Sequence, residues 1–452
     1  MRQGRTGMTS TDPRDDLTAI ATAADLRDVW PLLSAEERHP VFDQLPRTER
    51  EDFFISLSAR EQARMLLEFP PHRRRVWMRL LAPDDAVDLI QEAPPEDREG
   101  LLELLDDFTR KEIRALLAYA EDEAGGLMNP RYARVRAGMT ADEAISYLRR
   151  QTREHAETVQ YVYVTDPDRR LLGVLSFRDL FAALPGTPVR DIMNTDLVTV
   201  GETDDQESVS RLFAEYNLAA IPVVDAEGRM KGIVTLDDIV DVVQEEATED
   251  IQKYGGMEAL DAPYLDTGFF SMIKKRAGWL AALFVGETFT ASAMGRFEEE
   301  IARAVVLALF IPLIISSGGN SGSQASTLVV RAMALGEIRL RDWFRVVRRE
   351  IASGLTLGMI LAVVGFVLIV IWQRLFQTYG EHYMLVALVV AVSLVGVVMF
   401  GTVIGSLLPF VMRRMGFDPA SASAPLVATL VDVTGLVIYF TTAAVILGGT
   451  LL

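Results

Sequence analysis

Hydrophobic and polar residues follow three different patterns along the chain. Residues 15–120 contain short apolar segments at helical spacing, as in AREQARMLLEF, and prolines separate them; this predicts a stack of short helices. Residues 121–245 contain short apolar strands bounded by polar turns, which is typical of an α+β region. Long apolar stretches dominate from residue 269 onward. The pattern predicts a multidomain membrane protein with an all-α membrane domain at 269–452.

Five stretches after residue 269 are long enough to cross a bilayer, which takes roughly 20 apolar residues. They are 277–296, 301–320, 351–373, 384–411 and 424–450. An odd number of spans places the two ends of the domain on opposite sides. The loops on one side hold 11 Lys and Arg residues and those on the other hold three, so the positive-inside rule predicts a cytoplasmic N-terminal part, an outer C-terminus and a location in the cell (inner) membrane.

Charge is distributed as unevenly as hydropathy. Up to Gly268 there are 31 basic and 53 acidic residues, and from Phe269 there are 14 and 10. An acidic excess disfavours nucleic acid and favours cations as partners, although an acidic surface that only confers solubility is the alternative. With no cysteine and four dispersed histidines, any metal is expected to be a hard cation bound by oxygen.

An internal repeat lies in the middle of the chain. YVTDPDRRLLGVLSFRDLF and PVVDAEGRMKGIVTLDDIV superpose at a spacing of 59, which pairs Gly173 with Gly232 and Asp179 with Asp238. Each copy predicts a strand, a turn, a second strand and a helix opened by Ser176 or Thr235. The predicted domains are a disordered tail at 1–14, short helices at 15–120, repeat units at 121–186 and 187–245, and an acidic connecting helix at 246–268.

Three features interrupt the apolar pattern of the membrane domain. Asp432 lies in PLVATLVDVTGLVIYF and shares its predicted helix face with Ala428, Thr429 and Gly435. A carboxylate at that depth is expected to face protein or water, either in an ion pathway or paired with a hydroxyl. SSGGNSGSQAST predicts an interruption of the second span, with Asn320 and Gln324 lining a cavity or a headgroup loop. Glu287 is the third feature, and a pathway carboxylate, a protonated packing residue and a proton-coupling site remain open for it.

The order of these features resembles the MgtE family of magnesium channels. The repeat resembles a tandem pair of CBS domains, and GGNSGSQAST and DPASASAPLVATLVDVTGLVIYF resemble the family's membrane motifs. The resemblance implies a homodimer, and not an enzyme, that admits Mg²⁺ through a pore on its two-fold axis. It assigns the pore aspartate to Asp432. It also implies acidic regulatory ligands whose occupation by cytosolic Mg²⁺ closes the channel: Asp52, Asp84, Asp88, the Gly126 carbonyl, Glu207, Asp238, Asp241, Glu246, Glu249, Asp250 and Asp418.

Other functions remain open at this point. A proton-coupled divalent-cation transporter is the alternative to a channel. The CBS resemblance also implies adenine nucleotide binding, such as ATP, with Ser176 and Thr235 near phosphate and Asp179 and Asp238 on ribose. Asn217 departs from the family pattern because an acidic ligand is expected at its position, so the regulatory site nearest to it is expected to be weak or absent.

Overall fold

A computed structural model describes residues 22–151, 158–448 and 450, and the predicted tail at 1–14 lies outside them. The chain divides into two compact units, one ending at Val243 and the other starting at Gln244. Each unit has its own buried apolar cluster.

The first unit begins with short helices, as the proline spacing predicts. They are α1 Ala23–Val29, α2 Ala35–Phe42, α3 Arg47–Ile55, α4 Ala59–Glu68, α5 Pro71–Met78, α6 Pro83–Glu92, α7 Pro95–Glu103 and α8 Asp107–Leu116. Proline occupies the first position of α5, α6 and α7, where a missing N–H costs no helical hydrogen bond. Aromatic residues fill the core, and Phe69 stacks on Trp77 with ring centroids 5.6 Å apart.

The repeat forms two small three-stranded sheets in the same unit. The first copy contains α9 Ala124–Leu127, β1 Tyr132–Arg136, α10 Ala141–Gln151, β2 Thr158–Thr165, β3 Leu171–Ser176 and α11 Phe177–Ala182. The second contains α12 Val189–Ile192, β4 Val200–Gly201, α13 Gln206–Tyr216, β5 Ala220–Val224, β6 Met230–Thr235 and α14 Leu236–Tyr254. In each sheet the first two strands are parallel and the last two antiparallel.

The segment that precedes the first strand of each copy pairs with the last strand of the other copy. Asn129 pairs with Ile233 of β6, and Asn194 pairs with Val174 of β3. The repeated glycines allow this approach. A Cβ on Gly173 would lie 2.7 Å from the Met193 sulfur, and a Cβ on Gly232 would lie 2.7 Å from the Asn129 carbonyl oxygen. The 59-residue repeat is therefore a pseudo-symmetric pair, as predicted.

The second unit is helical. After the end of α14 it contains α15 Phe269–Arg296, α16 Glu298–Arg303, α17 Ile311–Ala334, α18 Trp343–Phe376, α19 Tyr383–Arg414 and α20 Ala424–Leu447. Within the described residues, four segments are long and apolar enough to cross a membrane, namely Val305–Ala334, Leu340–Phe376, Tyr383–Arg414 and Ala424–Leu447. Helix α15 spans 28 residues but is not one of the four, because Glu287 and its neighbouring Gly, Thr and Ser residues make it less apolar.

Glycines bring α17 and α19 into close contact. A Cβ on Gly401 would collide with the Gly318 carbonyl oxygen, and a Cβ on Gly405 would collide with the Gly322 carbonyl oxygen. Such small residues four apart let two membrane helices approach backbone to backbone. Helix α20 runs antiparallel to α17, since Val431 lies near Gly318 and Val427 near Gly322.

Two predictions about helix boundaries are wrong. SSGGNSGSQAST does not interrupt a helix, because its glycines serve helix packing and α17 continues through it from Ile311 to Ala334. The span predicted at 301–320 is therefore displaced along the chain. The connecting helix predicted at 246–268 ends at Tyr254. Gly255 follows it, and Gly256 adopts a left-handed φ of 75°, the conformation that commonly ends a helix.

Candidate functional site

Glu287, Thr429 and Asp432 meet where α15 packs on α20. The Thr429 hydroxyl lies 3.3 Å from Glu287 Oε1 and 3.1 Å from the Pro425 carbonyl oxygen. Asp432 lies one helical turn from Thr429 on α20, and its carboxyl is a neighbour of the Glu287 carboxyl. Gly286 permits this approach, because a Cβ there would lie 2.7 Å from the Thr429 methyl carbon. In the described part of the chain no basic side chain forms an ion pair with either carboxylate.

A polar stripe on α17 adds to this group. Ser316, Asn320, Gln324 and Thr327 are exposed, and their spacing of three or four residues places them on one side of the helix. The Asn320 amide donates a hydrogen bond of 3.4 Å to the Ser316 hydroxyl. Gly319 faces Ala428 of α20, so the stripe is adjacent to the helix that carries Asp432.

Of the pathway residues predicted from the sequence, Gly435 lies apart. It is buried, and a Cβ on it would contact Val397 of α19 at 3.2 Å. Ala428, Thr429 and Asp432 are half-buried, whereas Asn320, Gln324 and Glu287 are exposed. In a membrane, exposed polar groups on one chain require water or a second protein surface rather than lipid.

The end of α14 docks on the helical bundle of the second unit. Lys253 Nζ lies 2.6 Å from Asp418 Oδ2 and also pairs with Glu249. These two carboxylates raise the pKa of Lys253 despite its partial burial. The Tyr254 hydroxyl donates to the Ser323 carbonyl oxygen at 2.6 Å and contacts the Thr327 hydroxyl. Asp418 also caps the following turn through the Ala420 N–H at 2.8 Å.

A second group of carboxylates lies in the first unit, where α6 approaches the start of α14. Burial raises the pKa of Asp85, and Asp237 and Asp241 raise it further. Burial also raises the pKa of Asp238 to about 6, against hydrogen bonds from Thr235. Asp84 is buried and accepts a hydrogen bond of 3.1 Å from the Asn129 amide. These carboxylates repel one another, and a divalent cation between them would relieve that repulsion.

The remaining predicted regulatory residues are more dispersed. Asp52 and Asp88 are exposed on α3 and α6, and Glu207 lies 3.8 Å from Arg211 on α13. Gly126 is buried in α9, and Glu246 and Asp250 lie on α14. Within the described ranges, no three Asp, Glu or His side chains converge closely enough to hold a metal ion.

The sequence pattern does not connect Asp85 with Asp237, or Lys253 with Asp418. The i, i+4 spacing drew attention to Asp84 and Asp88 on α6, whereas the partners of Asp85 lie on α14. Asp237 and Asp241 have the same i, i+4 spacing, which is a signal that could have identified that helix face. Lys253 is the first base after the acidic segment, and only the fold brings it to Asp418.

The hydroxyl and carboxylate pairs of the repeat are equivalent in structure. The Ser176 hydroxyl donates to Asp179 at 2.6 Å, and the Thr235 hydroxyl donates to Asp238 at 2.7 Å. Ser176 caps α11, and Thr235 immediately precedes α14. Both pairs thus stabilise helix starts, and the same atoms are the ones implied in nucleotide binding.

Three segments of the chain match known protein families. Residues 311–442 match the divalent cation transporter family MgtE, residues 21–122 match the MgtE intracellular N domain, and residues 124–186 and 189–245 match the CBS domain. The magnesium transporter MgtE of Thermus thermophilus is 43% identical over 94% of this chain and 92% of its own length. This chain belongs to the MgtE family.

A second relative and one solved structure are also similar to this chain. The magnesium transporter MgtE of Bacillus subtilis is 30% identical over 92% of both chains. A crystal structure of the cytosolic domain of the Mg²⁺ channel MgtE in complex with ATP has 45% identity, a TM-score of 0.47, and covers 51% of this chain and 93% of that one. MgtE is a family of magnesium transporters and not of enzymes.

Within this MgtE chain, Asn217 has a conformational role. It ends α13 with φ 50° and ψ 48°, in the left-handed region that asparagine tolerates better than most residues. Asn217 therefore provides the C-terminus of α13.

Proposed function

We propose that the chain is a Mg²⁺-selective channel for magnesium influx. The observation that carries this proposal is the exposure of Glu287 and of the α17 polar stripe beside Asp432, on helices that are otherwise apolar. A hydrated cation in a water-filled pathway would compensate these groups, whereas lipid would not.

The chemistry of the group suits Mg²⁺ as the transported ion. Mg²⁺ keeps several of its waters and binds through one or two carboxylates. Asp432 and Glu287 supply carboxylate oxygens, while Thr429, Asn320 and Gln324 offer neutral oxygens that can bind the ion's water molecules. Ala428 leaves room for that hydration shell. Asp432 is the residue to which we assign direct recognition of the ion.

A homodimer would complete the pathway. Helix α15 contains no buried residue in a single chain, although it packs on α20 at Gly286. A two-fold axis beside Asp432 would place two copies of the carboxylate around one ion. The membrane partner is the lipid bilayer on the outer faces of the bundle.

The directions of the helices support five crossings. Gly286 of α15 lies near Thr429 of α20, and Phe297 stacks on Phe440 at 5.0 Å, so the two helices run parallel. With α15 counted as a span, the crossings alternate in direction and the basic loops share one side. We propose that this side is cytoplasmic, in the inner membrane, and that the C-terminus lies outside.

Closure by cytosolic Mg²⁺ would act through the acidic residues. In the first unit the carboxylates of Asp85, Asp237 and Asp241 repel one another, so a divalent cation would draw α6 and α14 together. In the second unit Lys253 already forms ion pairs with both Glu249 and Asp418. We therefore attribute regulation of the channel to a change in the distances between these carboxylates when Mg²⁺ binds.

Flux into liposomes tests the channel proposal. The full-length protein is reconstituted with a Mg²⁺-sensitive dye inside, and uptake is compared under a Mg²⁺ gradient at equal pH and under a pH gradient at equal Mg²⁺. Uptake driven by the Mg²⁺ gradient alone is expected. Uptake driven by the pH gradient alone would favour the alternative.

That alternative is proton-coupled transport, and one observation favours considering it. The Glu287 and Asp432 carboxyls are close neighbours, so a proton on one of them would relieve their mutual repulsion. Coupled transport predicts that Glu287→Gln abolishes pH-driven uptake while preserving exchange at equal pH.

Nucleotide binding by the CBS pair is a separate proposal. It rests on the equivalent Ser176–Asp179 and Thr235–Asp238 pairs. Titration of the full-length protein with ATP by calorimetry tests it, and absence of heat at millimolar ATP would remove it.

A further inference from the structure

An arginine-rich surface lies at one end of the helical bundle of the second unit. It comprises the segment from Glu337 to Glu350 together with the last residues of α19, and we call it the arginine belt. Its seven arginines are Arg339, Arg341, Arg345, Arg348, Arg349, Arg413 and Arg414, and its three carboxylates are Glu337, Asp342 and Glu350.

One hydrogen bond between α18 and α19 gives a common reference point for the positions of the two parts of the belt along the bundle. The Thr402 hydroxyl of α19 donates to the Glu350 carbonyl oxygen of α18 at 3.2 Å. The two helices are antiparallel, since Met399 lies near Gly354 and Val395 near Gly358. At 1.5 Å per residue, Arg341 lies about 13 Å and Arg413 about 16 Å from this level in the same direction. The arginines of both helices therefore form one surface.

The belt has an unusual shortage of ion pairs. The acidic N-terminal unit pairs many of its arginines, as in Arg131–Glu112 at 2.9 Å and Arg73–Asp43 at 2.9 Å. Among the described residues, no carboxylate lies within ion-pairing distance of any of the seven belt arginines. Asp342 instead accepts the Arg339 backbone N–H at 2.9 Å, and Glu350 is half-buried.

The position of the belt relative to the apolar segment identifies its surroundings. Leu340–Phe376 is one of the segments able to cross a membrane, and its uninterrupted apolar part starts at Ile351, directly after Arg348, Arg349 and Glu350. The headgroup layer lies directly outside the hydrocarbon core and is several ångströms thick on each side. Arg345, Arg348 and Arg349, which are exposed, thus fall at the depth of lipid phosphates.

We infer that the arginine belt binds the phosphate groups of anionic phospholipids. A guanidinium donates paired hydrogen bonds to phosphate oxygens, and a negatively charged leaflet attracts clustered basic residues next to a span. The negative charge of the lipid headgroups balances the positive charge of the arginines at this surface. This assignment holds for a channel and for a coupled transporter alike, because the belt is separate from Glu287 and Asp432.

Native mass spectrometry of the full-length protein tests the inference. The protein is taken from nanodiscs with equal amounts of phosphatidylcholine and phosphatidylglycerol, and the retained lipids are counted. The belt variant is Arg345→Gln with Arg348→Gln and Arg349→Gln. The matched control removes the same charge at the opposite end of the bundle, with Arg296→Gln, Arg303→Gln and Arg374→Gln.

The wild type and the control are expected to retain phosphatidylglycerol in preference to phosphatidylcholine, and the belt variant is expected to lose that preference by at least about tenfold. Inorganic phosphate at 10-fold molar excess over lipid, about the excess needed for mass-action competition, is expected to leave the lipid in place. Equal retention of both lipids by the wild type, equal losses in both variants, or displacement by inorganic phosphate would overturn the inference.

A second measurement covers a belt variant that fails to fold. The wild-type protein is titrated with soluble short-chain phosphatidylglycerol at low salt and at about 1 M salt, where the screening length falls to about 3 Å. A loss of affinity of about tenfold or more at high salt is expected for arginine–phosphate contacts. Binding that is independent of salt would contradict the inference.

Discussion

The two units of the chain surround their carboxylates differently. In the first unit most acids near a guanidinium are paired, and the hydrogen-bonded Arg73 guanidinium holds the pKa of Asp43 below its usual value. In the second unit Glu287 and Asp432 have one another and a threonine hydroxyl as neighbours. An acid near a base stabilises the fold, whereas an acid at membrane depth without a base destabilises it unless a cation is present.

Within the first unit the same contrast recurs on a smaller scale. Asp43 has arginines beside it, but Asp85 has Asp237 and Asp241, which raise its pKa together with burial. Ion binding should therefore be assigned to the carboxylates that have no basic partner.

Asp432→Asn should lower Mg²⁺ flux by roughly 100-fold or more, because it removes a charged contact worth about 2–3 kcal/mol to the ion. Dye-based uptake into liposomes measures this. Asp342→Asn, which neutralises an acid that precedes the apolar part starting at Ile351, is the matched control and should retain flux. Wild-type flux and selectivity in the Asp432 variant would remove Asp432 from the pathway.

Glu287→Gln should lower Mg²⁺ flux by about tenfold and weaken the preference for Mg²⁺ over Na⁺, because one of two neighbouring carboxylates remains. Reversal potentials in bi-ionic conditions measure the preference. Thr434→Val, a polar-to-apolar change on α20 at a hydroxyl bonded within its own helix, serves as the comparison. An unchanged reversal potential would assign Glu287 to packing alone.

Asp85→Asn should raise the Mg²⁺ concentration needed to protect the full-length protein from proteolysis by about threefold, since one carboxylate of the α6–α14 group is lost. Limited trypsin digestion across a Mg²⁺ series measures it. Glu96→Gln, at an exposed position on α7, should leave the midpoint unchanged. A shift of the same size in both variants would indicate only a general effect of net charge.

The smallest effect concerns Asp238, whose pKa is raised from 3.8 to about 6 by burial. An acid with a raised folded-state pKa contributes stability that is present below the unfolded pKa and is lost as pH rises through about 6. Without divalent ions, the first unit should therefore unfold a few degrees lower at pH 7.5 than at pH 5 on account of this group.

Thermal scans of the full-length protein, followed by Trp30 and Trp77 fluorescence, measure the slope of the unfolding temperature against pH. Asp238→Asn should reduce it while keeping an acceptor for the Thr235 N–H. Asp179→Asn, the exposed equivalent in the first repeat, should not. An identical pH slope in all three proteins would show that Asp238 does not titrate in this range.

Much of the fold was predictable because its determinants are local. The proline spacing predicted the short helices, and the 59-residue repeat predicted both strand pairs and the helix starts after Ser176 and Thr235. The continuity of α17 was not predictable, because the residues that its glycines contact lie on α19, more than 70 positions later. The end of α14 at Tyr254 likewise depends on the turn at Gly255 and Gly256.

The candidate site was predictable to the extent that a residue was unusual in its own segment. Asp432 and Glu287 are charged residues in apolar surroundings, so the sequence singled out both, but their proximity requires the packing of α15 on α20. Asp85 was missed because its partners lie on α14, and the Lys253–Asp418 pair joins residues 165 positions apart. Long-range contacts of this kind leave no periodic signal in a sequence.

Patch recording of the reconstituted protein tests the central claim most directly. With Mg²⁺ as the only permeant divalent cation and equal pH on both sides, the current should reverse at the Mg²⁺ equilibrium potential and decline when cytoplasmic Mg²⁺ is raised to millimolar levels. A reversal potential that follows an imposed pH gradient, or a current insensitive to cytoplasmic Mg²⁺, would contradict a Mg²⁺-closed channel.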